Sequence, residues 1–238
     1  MFKTLFYIPI YNALVFIIDI LPGHSAGWAV VLLTILIRFV LYPLAKKSIK
    51  TQILMKRIEP EAKRIRENVA DKQDQARQLM KLYKDNDINP FAGLFLLILQ
   101  FPILIGLYNV FRSGLPKIDV SILYSFVQEP TIVVMTFLGT DLLQRSFILA
   151  LIAVITQFIQ INLALPKQPP TAPNPNKKPS FQDDFAKSMN TQMRYIFPLI
   201  IFPIAYISSV ISLYFITSNI FMSIQEVYIR RRLEKGIK

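Results

Sequence analysis

Long apolar runs constrain this chain more than any other feature. Near residues 27 to 45, 91 to 111 and 146 to 165 the sequence is mostly apolar for about 20 residues at a time, the number a helix needs to cross a hydrocarbon core of about 30 Å. A fourth apolar region, 194 to 229, has 36 residues. As one helix it would reach about 54 Å at 1.5 Å per residue, so it is read as two antiparallel spans turning near Ser208 to Ser212. Five spans follow. With 53% hydrophobic residues gathered in blocks, the expected class is an all-α membrane protein rather than one large soluble core. Cysteine is absent, which excludes a disulfide framework, a thiolate metal site and a thiol nucleophile.

A formal charge of +12 could suggest nucleic acid, but the distribution of the charge matters more than its sum. Residues 46 to 90 hold twelve lysines and arginines, and positive residues in short loops mark the cytoplasmic side. Counting alternate sides from there makes 112 to 145 external, with only Arg112, Lys117 and Arg145, and puts 166 to 193 and the "RRRLEKGIK" tail inside. The expected order is an N-terminal segment 1–23, a span 24–45, a cytoplasmic segment 46–90, a span 91–112 and an external loop 113–145. A span 146–165, a cytoplasmic loop 166–193, spans 194–209 and 210–229 and a basic tail 230–238 complete it. The N-terminus is then outside and the C-terminus cytoplasmic. The first block, "TLFYIPIYNALVFIIDILP", has nearly spanning length, but Pro9, Asn12 and Asp19 interrupt it. It is read as a helix lying in the external interface, with a sixth span and a cleaved signal segment as the alternatives.

In the cytoplasmic segment Ile49, Ile53, Ile58, Ala62, Ile65 and Val69 recur at helical spacing, and Ala76, Leu79, Met80 and Tyr83 repeat the pattern. Asp71 and Asp74 are plausible caps at the turn between them. The pair is read as a helical hairpin with its apolar stripes facing each other and its charged faces left for partners. Pro60 should start or kink a helix at Glu59. "PKQPPTAPNPNKKPS", with six prolines, reads as a linker without a core. Externally, "TIVVMTFLG" is too short to span and is a candidate to dip into the membrane interface beside Leu138.

Arg38 stands inside the span "VLLTILIRFVLYPLAKK", ten residues after Trp28 and eight before Lys46. These are about 15 Å and 12 Å of helix, too far for easy snorkelling, and a central arginine costs about 2.5–3.5 kcal/mol on insertion-derived scales. The usual remedy is a carboxylate, yet the later spans hold none before Glu226, and Asp19 qualifies only if its block crosses the membrane. The other remedy is water. Gln100, Asn109, Gln157, Gln160, Asn162, Ser208, Ser209, Ser212, Thr217, Ser218, Asn219 and Gln225 are spread through the spans, and intramembrane polar groups face a bundle interior or a hydrated cavity. Some of them simply hydrogen-bond helix to helix. The rest make Arg38, Gln100, Gln157, Ser218 and Asn219 candidates to line a positively charged hydrated groove, open to the cytoplasm and offering a transient site to a polypeptide.

"GWAVVLLTILIRFVLYPL", "IEPEAKRIRE", "LMKLYKDNDINP" running into "GLFLLILQFPILIGLY", and "SLYFITSNIFMSIQ" occur in an order and spacing that resemble the YidC family of membrane protein insertases. The resemblance runs from about residue 4 to 236. It implies five transmembrane helices around a hydrated groove, an interfacial N-terminal helix and a flexible cytoplasmic hairpin, in the plasma (inner) membrane of a bacterium. It implies that nascent membrane proteins are received, alone or beside the Sec translocon, with ribosomes and membrane lipids as further partners, no DNA and no cofactor. By position, Arg38 becomes the groove charge and Gln100 a groove-lining residue; Tyr108, Tyr214 and Phe215 belong to a substrate-guiding surface. The hairpin with Glu59, Pro60, Glu61 and Tyr83 becomes the receiving element. The resemblance is to the short form of the family, expected without the large external domain of some relatives.

Other functions fit less well. An intramembrane protease needs paired aspartates, a serine with histidine, or metal-ligating histidines within the spans, and the one histidine, His24, precedes the first span. A small channel or transporter component with an anion-attracting groove is the serious rival, although a charged 45-residue hairpin has no evident role in a pore. A structural assembly factor would differ from an insertase in not releasing its client.

Overall fold

The computed structural model describes residues 2–69, 71–89, 92–115, 117–165 and 192–236. The proline-rich segment expected at 166–180 lies outside the described residues, as do the last two residues of the tail. The architecture is helical: α1 Ile8–Ile20, α2 Ala26–Val40, α3 Tyr42–Asn68, α4 Lys72–Asp85, α5 Ala92–Asn109, α6 Phe147–Ala164, α7 Phe197–Ala205 and α8 Ser209–Gly236. A two-stranded antiparallel ladder, β1 Thr136–Phe137 with β2 Thr140–Asp141, interrupts the loop before α6. The chain divides into two compact units, residues 1–40 with 100–224, and residues 41–99 with 225–238.

In the first unit α1 packs on α2, and α6 on α7. Pro9 falls in the first turn of α1, where its missing N–H has no intrahelical partner to lose. Gly23 and His24, both at positive φ, end the connection to α2. The core holds Tyr11, Leu14, Val15, Ile18, Val30, Val110, Phe111, Leu142, Val210 and Tyr214. Asn12, one of the residues that argued for an interrupted N-terminal block, is buried and used: its Nδ2 donates to the carbonyls of Ile8 and Ile122 at 2.9 and 3.0 Å, and its Oδ1 accepts from the Tyr124 N–H at 2.6 Å. The Tyr11 hydroxyl accepts from the Asp119 N–H at 2.8 Å. The first helix therefore anchors the loop after α5 through paired polar groups, as burial demands. Hydrogen bonds from the Ser121 hydroxyl and N–H hold the Asp119 carboxyl below the usual carboxylate range.

The same loop closes the start of α8. The Leu142 carbonyl accepts from Ser208 Oγ at 2.6 Å and from Val210 N at 2.9 Å, while the Gln144 carbonyl accepts from Ser209 Oγ at 2.7 Å and Ser209 N at 2.8 Å. The first N–H groups of a helix have no intrahelical acceptor; here loop carbonyls supply one. Ser212 Oγ donates back to the Ala205 carbonyl at 2.8 Å. These three serines, expected at the turn between two spans, serve the break at Tyr206 to Ser208 between α7 and α8. β1 packs on α2, where a Cβ on Gly27 would collide with the Phe137 ring.

In the second unit α3 and α4 form the expected hairpin. Asp71 caps α4 by accepting from Gln73 N at 3.0 Å, and Gln75 Nε2 donates to the carbonyls of Arg66 and Val69 at 2.9 and 3.4 Å. Three details depart from expectation. The span expected to run to residue 45 is cut short: α2 stops at Val40 and α3 begins at Tyr42, with Pro43 in its first turn. Pro60 lies inside a continuous α3; it is exposed, so water can meet the carbonyl its missing N–H abandons. The apolar stripe splits as well: Ile49 and Ile53 pack with Ile229, Tyr42 and Leu233, not with α4, and Ala76 and Met80 are exposed.

By length and composition, the stretches Lys3–Ile20, Phe147–Ala164 and Ser209–Leu233 suffice to cross a membrane, and Ala26–Val40 with Tyr42–Asn68 is a fourth candidate if the pair is taken as one broken span. The first helix, placed in the interface on sequence, thus also has spanning length. Arg194–Ala205 is shorter, and its 12 residues reach about 18 Å.

Candidate functional site

Arg38 occupies the last turn of α2 and is only 6% exposed. Its Nη2 donates to Gln100 Oε1 of α5 at 2.6 Å and to Ser218 Oγ of α8. Three helices thus converge on one guanidinium, through neutral acceptors. Among the described residues Arg38 has no carboxylate partner; Glu226, the one acid expected in the later spans, pairs instead with Arg230 four residues on, at 2.6 Å. Arginine has five N–H donors, and among the described residues the acceptors Arg38 meets are Gln100 and Ser218, both on Nη2. The site is therefore a buried, fixed positive charge braced by neutral acceptors.

The remaining candidates fall into groups. Gln157 is buried and its Nε2 donates to Gln160 Oε1 at 3.2 Å, one turn along α6. Asn219 Nδ2 lies 3.4 Å from the Ala153 carbonyl and 3.3 Å from Thr156 Oγ1, tying α8 to α6. Gln157 thus bonds within α6 and Asn219 bonds helix to helix, neither of them to the guanidinium. Tyr214 and Phe215, expected on a guiding surface, are buried, with rings 5.8 Å apart edge to face, while Tyr108 is half-buried. Tyr214 is near enough to Arg38 for the two to interact electrostatically. In the hairpin Glu59, Pro60 and Glu61 are exposed, Glu59 pairs with Arg66 at 3.0 Å, and Tyr83 is half-buried. His24 Nδ1 donates to the Ile18 carbonyl at 3.1 Å, a structural contact. Thr34 escaped the sequence reading. It is buried one turn before Arg38 on the same face, a spacing of four that could have revealed it, and its hydroxyl is committed to the Val30 carbonyl at 2.7 Å.

A helical membrane protein that holds a buried arginine between three helices, with no carboxylate partner among the described residues, is the class that fold and site define. The sequence model of the 60Kd inner membrane protein family matches residues 17–236, and the chain belongs to that family. It is 28% identical over 211 residues to the membrane protein insertase YidC of Fusobacterium nucleatum, covering 87% of this chain and 86% of that one. To the protein of the same name from Clostridium tetani it is 30% identical over 215 residues, covering 90% and 86%. To that of Burkholderia cenocepacia it is 32% identical over 215 residues, covering 89% of this chain but 33% of the relative. A crystal structure of an active YidC insertase, with the first transmembrane domain resolved, has the same fold, at a TM-score of 0.59 and 22% identity over 94% of this chain and 45% of that one. These relatives are named as membrane protein insertases.

Proposed function

We propose that the chain is a membrane protein insertase and chaperone. Arg38 acts as an electrostatic receptor in a hydrated groove open to cytoplasm and lipid, and an acidic or polar segment of a nascent protein docks there while its apolar helix passes into the bilayer. The observation that carries this reading is the state of Arg38: it is buried, neutralised by no acid among the described residues, and left with donors that no described residue occupies. A buried charge without a partner is costly, and an incoming carboxylate would relieve that cost for as long as it stayed. Binding is transient because the Arg38 site offers an acidic client a single positive charge.

Five spans, with the N-terminus outside and the C-terminus cytoplasmic, place the twelve-charge hairpin where clients arrive. Exposed Glu59, Pro60 and Glu61 then form its receiving face. The ribosome and the Sec translocon are the partners this arrangement suits. The test is insertion of a small protein with an acidic translocated tail into liposomes containing only this chain. Wild type and Arg38→Lys insert it, and Arg38→Ala loses at least tenfold, equivalent to about 1.4 kcal/mol. Full insertion by Arg38→Ala overturns the receptor role, and anion flux without insertion would point to a channel.

A further inference from the structure

The loop from Val120 to Gly139 exposes more apolar surface than a water-facing loop should carry. Leu138 is 83% exposed, Phe126 69% and Ile132 64%, and no charged residue occurs from Pro130 to Gly139. Leu138 and Gly139 form the two-residue turn of the β1–β2 hairpin, with φ of 50° and 77°. Such a turn selects Asn or Asp followed by Gly, and a leucine at positive φ is disfavoured. An apolar side chain therefore stands at the tip against local preference.

The hairpin is also fixed in height. Ala26 N donates to the Val134 carbonyl and Val134 N to the His24 carbonyl, each at 3.0 Å, and Phe137 meets the Trp28 ring edge-on at 5.4 Å. The tip thus lies beside the first turn of α2. Trp28 is itself half-exposed, and Phe126 meets Tyr124 at a tilt and Phe16 of α1 edge-on. Half-exposed aromatic rings gathered at helix ends are how proteins meet the membrane–water interface. We propose that this hairpin is a lipid-interface anchor: Leu138, with Ile132 and Phe126 beside it, enters the headgroup and upper acyl region and sets the depth of α2, and with it that of Arg38. Lipid is the occupant because the loop is fastened to the ends of helices that cross the bilayer, and the proposal rests on that membrane reading.

The chain has no cysteine, so single substitutions accept a nitroxide without further change. We would label Leu138→Cys, Glu129→Cys and Ile155→Cys in protein reconstituted into vesicles, and compare collisions with oxygen, which favours lipid, against those with a water-soluble nickel chelate. The Leu138 label should shift several-fold toward oxygen relative to the Glu129 label. A Leu138 label that collides mainly with nickel overturns the anchor, and so does one shielded from both, which would mean that protein covers the tip. Ile155 lies half-exposed on α6, and its label should read oxygen in either case. If it reads nickel, the membrane placement has failed rather than the hairpin proposal.

Discussion

Arg38 keeps its proton at any physiological pH, so its environment must meet the charge instead of removing it. Ser218 is fully buried and Gln100 half-buried, and each turns one oxygen toward Nη2. Ser218→Ala adds no volume, removes the acceptor and leaves the guanidinium facing a methyl group. The expected loss is about 1–3 kcal/mol, seen as a lower midpoint of urea unfolding in detergent; an unchanged midpoint would mean that water replaces the hydroxyl freely. Arg38, Gln100 and Ser218 are all recognisable as candidates in the sequence. Their meeting is not, because the partners are 62 and 180 residues away from Arg38 along the chain.

Helices here start and stop for local reasons that are partly visible in the sequence. Asp71 caps α4 as its position suggests, and Asp71→Ala should cost about 0.5–2 kcal/mol of local stability. Hydrogen exchange would show it as faster exchange at Gln73 and its neighbours, with α6 unaffected. Ser146 caps α6 in the same manner, accepting from Leu149 N at 3.3 Å. The start of α8 is different: its acceptors are carbonyls of a loop more than sixty residues earlier, and no local pattern announces that. Pro60 shows the opposite failure, a residue whose usual effect is overridden because its face of α3 is open to water.

On the scale of the molecule, the two compact units have separate cores. The second depends on Ile229, 1% exposed and packed on Ile49 and Ile53. Ile229→Ala should cost about 2–5 kcal/mol, confined to that unit. Limited proteolysis should then cut within α3 and the end of α8 well before α6 or α7; simultaneous loss of both units would show them to be one cooperative body. The residues after Arg230, expected to be a basic tail, continue α8 as far as Gly236.

Composition and spacing alone determined that this chain is helical, that it is made for a membrane, that its first charged segment is a hairpin and that Arg38 is the anomaly to explain. These are consequences of transfer free energy and helical periodicity, both of which act over a turn or two of chain. Only the tertiary structure decided which polar residues serve Arg38 and which bond helix to helix, why Asn12 tolerates burial, and how Ile49 and Ile53 come to pack on Ile229. Each of those choices joins groups far apart in sequence, and a buried polar or apolar group is satisfied by whatever the fold brings to it.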